Sequence, residues 1–310
     1  MKVGPIDRRA LPPQARVAVW QSGDTWPMRR LEWVQPEGRP VRGSLLLLGG
    51  RGDFIEKYVE PLAYWHARGW NVTSFDWRSQ GESQGSIKGG HLDSFDDVLS
   101  DGAALIEDWL QGARPHVAVG HSMGGHLLLR ILAERRPPVA AAVLVAPMVG
   151  INSSPLPPML AQAIAQNLTM FGRGRIPVWK HEGKLQKGSL RRKILTSCPK
   201  RYADELWWFE QRPAYSLGAP SWGWLAAAYR SIASLTAAKL RSIDLPVLLL
   251  GTERDRLVSP GAIKWAAELL PNSELMMFPE AGHEILREAD PIRIAALERI
   301  DRFLDERAAA

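Results

Sequence analysis

Residues 117–130 read VAVGHSMGGHLLLR, and Ser122 stands between Gly120 and Gly124 where an apolar strand pattern gives way to a helical one. The short run HVAVG, bounded upstream by Pro115, has the character of a buried parallel strand. After Ser122, Leu127, Leu128, Ile131 and Leu132 recur at helical spacing, and basic residues precede Pro137. A tight strand-to-helix turn lifts a serine hydroxyl clear of the backbone. Glycines are needed on both flanks because side chains there would clash as strand and helix close together. A second G-x-S-x-G, Gly81-Glu82-Ser83-Gln84-Gly85, lies inside the polar loop DWRSQGESQGSIKGG with no helix pattern directly after it. Context therefore selects Ser122 as the candidate nucleophile and makes Ser83 a loop serine.

A serine hydroxyl needs a base to take its proton and an acid to orient that base. Beyond the helix that follows Ser122 the chain offers two histidines. His283 lies in MMFPEAGHEIL, just after the strand-like ELMMF, whereas His181 sits in a basic segment with no strand before it, so His283 is the candidate base. Glu253 and Asp255 both follow the buried strand pattern LPVLLLG. Asp255, which leads into Leu257 and Val258, is favoured as the acid, with Glu253 as the alternative. The oxyanion of an acyl-transfer intermediate needs donors already in place. The Met123 amide, next after the serine, is one candidate. The loop GGRGDF after SLLLL offers Gly50 or Arg51 as the other.

Outward from these motifs, strand-like runs alternate with helical patterns: SLLLL, a helix at about 56–68, NVTSFDW, a helix at about 95–110, then HVAVG and VAAAVLVAP. Such alternation predicts an α/β fold with a mostly parallel sheet covered on both faces. The rhythm stops from about residue 150 to 240, where proline-rich joints separate helical segments, and resumes at LPVLLLG, a helix at about 263–270, ELMMF and a final helix from about 291. The expected organisation is a core of residues 1–149 and 241–310, with residues 150–240 inserted after the sixth strand as a helical cap over the carboxyl edge of the sheet.

The chain has 310 residues, 45% of them hydrophobic, and a mean hydropathy of -0.17, which suits a folded domain with an insertion. No apolar run is long enough to cross a bilayer, and the N-terminus carries no apolar signal segment, so a cytoplasmic location is expected. The single Cys198 excludes an internal disulfide and a zinc site built on cysteine pairs; no metal and no cofactor are expected. Trp207, Trp208, Trp222 and Trp224 cluster in the insertion as candidate substrate-binding aromatics, although tryptophans more often simply fill cores. Residues 173–201 hold ten lysines and arginines against one acid, Glu182, a net +9 in a chain of +6. With no nucleic-acid-binding motif beside it, that charge reads as a solvated face or as a peripheral contact with anionic membrane.

GHSMGG, DWRSQGES, ERDRLVSP and EAGHEIL together, with YSLGAPSWGWLAAAYRS in the insertion, resemble the lysophospholipase and monoacylglycerol lipase branch of the serine α/β-hydrolases, over nearly the whole chain from about residue 15. The resemblance implies the α/β-hydrolase fold, Ser122, Asp255 and His283 as a triad, and the Arg51 and Met123 amides as the oxyanion hole. It also implies hydrolysis of a single-chain lipid ester such as a lysophospholipid or monoacylglycerol. This chain has Gly49-Gly50 where relatives begin the oxyanion loop with His-Gly, and Arg78-Ser79 where many have Arg-Gly. The same triad could serve a lactone, thioester or carbon–carbon hydrolase, and the fold could also serve a non-catalytic ligand receptor.

Overall fold

The computed structural model describes residues 6–21, 23, 26–84, 90–179 and 190–308. In chain order the regular elements are β1 (Arg16–Gln21), β2 (Pro27–Trp33), β3 (Gly43–Leu48), α1 (Val59–His66), β4 (Trp70–Phe75), α2 (Asp96–Trp109), β5 (His116–His121), α3 (Met123–Glu134) and β6 (Ala141–Val145). The insertion then contributes α4 (Pro158–Leu168), α5 (Leu190–Leu195), α6 (Pro199–Gln211), α7 (Trp222–Ser234) and α8 (Ala237–Arg241). The chain closes with β7 (Val247–Gly251), α9 (Pro260–Leu269), β8 (Ser273–Met277) and α10 (Asp290–Arg307).

The strands form one eight-stranded sheet in the order β1-β2-β4-β3-β5-β6-β7-β8, antiparallel at β1/β2 and β2/β4 and parallel elsewhere. Its central strands are buried throughout, as continuous apolar runs such as SLLLL require when helices cover both faces. Alternate residues feed opposite layers. Leu46 and Leu48 pack with the helices α2, α3 and α9, whereas Leu45 and Leu47 pack with α1 and α10. This is the α/β-hydrolase fold, with the cap region between β6 and β7. The chain rejoins the core before β7, since Leu235, Leu240 and Ile243 are already part of its buried layer.

The strand order reverses between β3 and β5, because the chain moves outward to β4 and then returns to the other side of β3. Loops leaving the carboxyl ends of the two strands at such a reversal diverge and open a crevice, the usual ligand position in open α/β sheets. Here those loops are Gly49–Gly50–Arg51 and the turn at Ser122.

Candidate active site

Ser122 has φ 51° and ψ -115°, a left-handed conformation that a non-glycine residue holds only when its surroundings enforce it. Three backbone bonds do so: the Ser122 amide donates to the Val145 carbonyl at 3.0 Å, and its carbonyl accepts from the amides of His126 and Met148, each at 3.0 Å. The flanking glycines are required by clearance. A Cβ on Gly120 would lie 2.7 Å from the Gly125 Cα, and one on Gly124 would lie 2.4 Å from the Leu48 carbonyl oxygen. Gly50 faces the same turn, with its imaginary Cβ 3.0 Å from the Ser122 Cβ. Ser83, by contrast, is wholly buried, its hydroxyl donating to the Asp76 carbonyl and accepting from the Arg29 amide.

Asp255 and His283 are brought into direct contact, with Nδ1 of the imidazole 2.7 Å from Oδ2 of the carboxylate. The other oxygen, Oδ1, accepts from the amides of Leu257 and Val258 at 2.8 and 2.9 Å, and the Asn152 side chain donates to the Asp255 carbonyl. Burial works against the charge on Asp255, yet His283 and those amides hold its pKa below the usual carboxylate range. Burial likewise opposes a charged imidazole, but the facing Asp255 carboxylate overcomes it and raises the His283 pKa. Glu253 is exposed and ion-paired with Lys264. His181 lies outside the described residues. His121, the residue before Ser122, places its ring centroid 4.9 Å from that of His283. Among the described residues no hydrogen bond engages the Ser122 hydroxyl, and nucleophile–base contacts commonly tighten only when substrate binds.

Of the two amides left open in the GGRGDF loop, that of Gly50 is taken: it donates to Asp53 Oδ2 at 2.6 Å. The amides of Arg51 and Met123 have no internal acceptor among the described residues. Asp53 Oδ2 also accepts from the Tyr58 hydroxyl and contacts His121 Nδ1, each at 2.9 Å, while its Oδ1 meets Lys57 Nζ at 2.6 Å. The Lys57 ammonium in turn lies 2.6 Å from Glu284, the neighbour of His283. Arg287 bonds both Glu284 and Glu205 of α6, and Arg191 lies 2.6 Å from Glu205. This buried chain of alternating charges ties the loop after β3 to the loop bearing His283 and to the cap. Sequence reasoning passed over Asp53, Lys57 and Glu284. Their signal was faint: an acid four residues before a lysine in a segment too apolar to be a surface.

The histidine loop is also held by backbone bonds, from the His283 amide to Ile194 at 3.0 Å and from Glu284 to Leu195 at 2.8 Å. The four cap tryptophans separate. Trp207 and Trp208 pack edge to face, the first under Arg9 and the second donating to the Arg8 carbonyl, so they cover the N-terminal segment. Trp222 is half-buried at the start of α7. Two of the four reach the loop after β3: Trp208 meets Phe54 edge to face with ring centroids 6.5 Å apart, and the Arg51 guanidinium lies 5.2 Å over the Trp224 ring. Within the basic run, Arg191 and Arg201 are committed to ion pairs, Arg201 with Glu60 and Asp290. Lys180, Lys184 and Lys187 lie outside the described residues. No helix of the described residues is long and apolar enough to cross a membrane.

Comparison with known proteins matches this architecture. The Hydrolase_4 family profile, described as serine aminopeptidase, S33, matches residues 39–290. The chain is 30% identical over 276 residues to a probable lysophospholipase L2 of Haemophilus influenzae, covering 88% of this chain and 86% of the relative. It is 28% identical to lysophospholipase L2 of Escherichia coli K12, covering 84% and 80%. A soluble variant of monoglyceride lipase from Saccharomyces cerevisiae shares the fold at a TM-score of 0.76 and 20% identity, over 98% of this chain and 99% of that one. With most of its length inside the matched region, the chain belongs to the Hydrolase_4 family of serine α/β-hydrolases, homologous to lysophospholipase L2 and the monoacylglycerol lipases.

Proposed function

We propose that the protein is a carboxylic-ester hydrolase that cleaves single-chain lipid esters, lysophospholipids or monoacylglycerols, through a covalent acyl-serine. The observation that carries this reading is the buried Asp255–His283 pair, with the His283 ring 4.9 Å from that of His121, the residue before a serine held at φ 51° on a strand-to-helix turn. Ser122 Oγ attacks the ester carbonyl carbon and its proton passes to His283 Nε2. Asp255 fixes the ring through Nδ1 and stabilises the imidazolium. The oxyanion is received by the Arg51 and Met123 amides. As the intermediate collapses, the alcohol departs with the proton from His283, leaving the acyl group on Ser122. Water, deprotonated by the same histidine, then attacks that ester and releases the fatty acid.

The lipid half of this reading draws on the printed names of the relatives and on the surface of the cap. Met159, Met170, Phe171 and Trp179 project from it, Met159 being 83% and Phe171 74% exposed. Arg173 and Arg175 stand exposed among them. Apolar side chains ringed by cations are complementary to an anionic lipid surface, where each nearby basic residue contributes about 1 kcal/mol. A fluorophosphonate probe tests the chemistry: the expected result is covalent labelling lost in Ser122→Ala and retained in Ser83→Ala. Labelling that survives in Ser122→Ala overturns the assignment.

A further inference from the structure

Arg51 is half-buried, with Nε and Nη2 enclosed, and its side chain is unlike those of the buried arginines. Arg29, Arg78, Arg130, Arg201 and Arg287 each face at least one carboxylate. Among the described residues Arg51 makes no ion pair. Its Nη1 donates to the Gly218 carbonyl at 3.0 Å and its guanidinium lies over the Trp224 ring, while Nε and Nη2 are enclosed with no partner among the described residues. Burial without a counter-charge draws its pKa down to about 10. A desolvated cation with two idle donors is strongly unfavourable unless something supplies the matching anion. A strap between the loop and the cap would need neither the charge nor the two idle donors.

The position of the residue identifies the anion. Its amide is one of the two free N–H groups beside Ser122, and the same number of bonds separates an arginine's amide nitrogen from its Cζ as separates the ester carbonyl carbon of a 1-acyl lysophospholipid from its phosphorus. A substrate whose carbonyl oxygen meets the Arg51 amide, and whose glycerol runs alongside the Arg51 side chain, can bring its phosphate to the Arg51 guanidinium. Nε and one Nη present the parallel pair of donors that a phosphate's oxygens accept. Building on the lipid-ester reading above, we infer that the Arg51 side chain selects substrate by receiving the phosphate of a lysophospholipid, and so favours phosphate-bearing esters over neutral monoacylglycerols.

The test compares kcat/KM for lysophosphatidylglycerol and a monoacylglycerol of the same acyl chain, both in neutral detergent micelles, in the wild type, Arg51→Gln and Arg51→Lys. The expected result is a wild-type preference for the phosphate-bearing lipid of roughly tenfold or more, the range of a charge-assisted hydrogen bond, that collapses in Arg51→Gln and survives in part in Arg51→Lys. Equal loss on both lipids in Arg51→Gln, or no preference in the wild type, overturns the assignment. A wild-type arm stands apart from folding of the variants: methylating the phosphate to a neutral triester should abolish the preference, and retained preference overturns the proposal. If inorganic phosphate raises monoacylglycerol turnover to the lysophospholipid level, the anion is a free effector and the assignment falls. If neither lipid is cleaved while short p-nitrophenyl esters are, the lipid-ester reading itself fails, and this inference with it.

Discussion

At Asp255 and His283, single atoms set the pH behaviour. In the proposed mechanism only the neutral imidazole can take the Ser122 proton, so activity is expected to fall as pH drops through the His283 pKa. Burial alone would move that pKa down; Asp255 moves it up, and the acid limb of kcat/KM is expected above the ordinary imidazole value of about 6.5. Asp255→Asn removes the carboxylate but leaves the burial. Turnover is expected to fall by roughly 10³- to 10⁴-fold and the acid limb to move to lower pH. A pH–rate profile of the variant that keeps the wild-type limb would detach Asp255 from the base. Gly124 supplies a second test, through packing. With the Leu48 carbonyl 2.4 Å from any added Cβ, Gly124→Ala must push the start of α3 off β3. A loss of stability of about 1–3 kcal/mol in urea unfolding is expected, together with loss of fluorophosphonate labelling. An unchanged midpoint would mean the elbow is looser than its geometry.

At the level of elements, what could be read from the chain followed from how each piece is buried. Central parallel strands bury both faces, so SLLLL, HVAVG and VLLLG stand out as apolar runs, and the loops after them could be located by eye. Asp255 could be preferred to Glu253 because it leads into Val258, which is buried. The insertion was less legible. The pattern MLAQAIAQNLTMF predicts one helix, but α4 ends at Leu168 and continues as a distorted turn over Thr169–Arg173, with Gly172 at φ 75°. The helix expected at about 56–68 is instead a 3-10 turn, Ile55–Tyr58, followed by α1. The four tryptophans look equivalent in sequence, yet Trp208 bonds Arg8, 200 positions away, and such a long-range partner leaves no local trace. The buried charge chain through Asp53, Lys57 and Glu284 was hidden for the same reason, since each member resembles an ordinary surface ion until the fold brings the three together.

For the whole molecule, the exposed Met170 and Phe171 stand in the same stretch of the insertion as the exposed Arg173 and Arg175. If the cap meets anionic lipid, co-sedimentation with anionic vesicles should fall severalfold in Met170→Ser/Phe171→Ser and on raising salt, while zwitterionic vesicles bind weakly throughout. Equal binding to both vesicle types would retire that part of the reading. The bonds from His283 and Glu284 to Ile194 and Leu195 carry a different consequence, for how the molecule can be taken apart. Thr196 bonds the Arg287 carbonyl and Arg201 that of Glu288, so residues 190–206 are stitched along the histidine loop. The stretch at 174–178 is instead bonded to residues 220–223 at the start of α7. As inheritable parts, then, the insertion is two modules. One travels with α7, whose Trp224, Ala227 and Ala228 belong to the main core and whose Ser231 bonds His126 and Arg130 of α3; the other is effectively a distant extension of the loop bearing His283, and a chimera that replaces it replaces the support of that histidine.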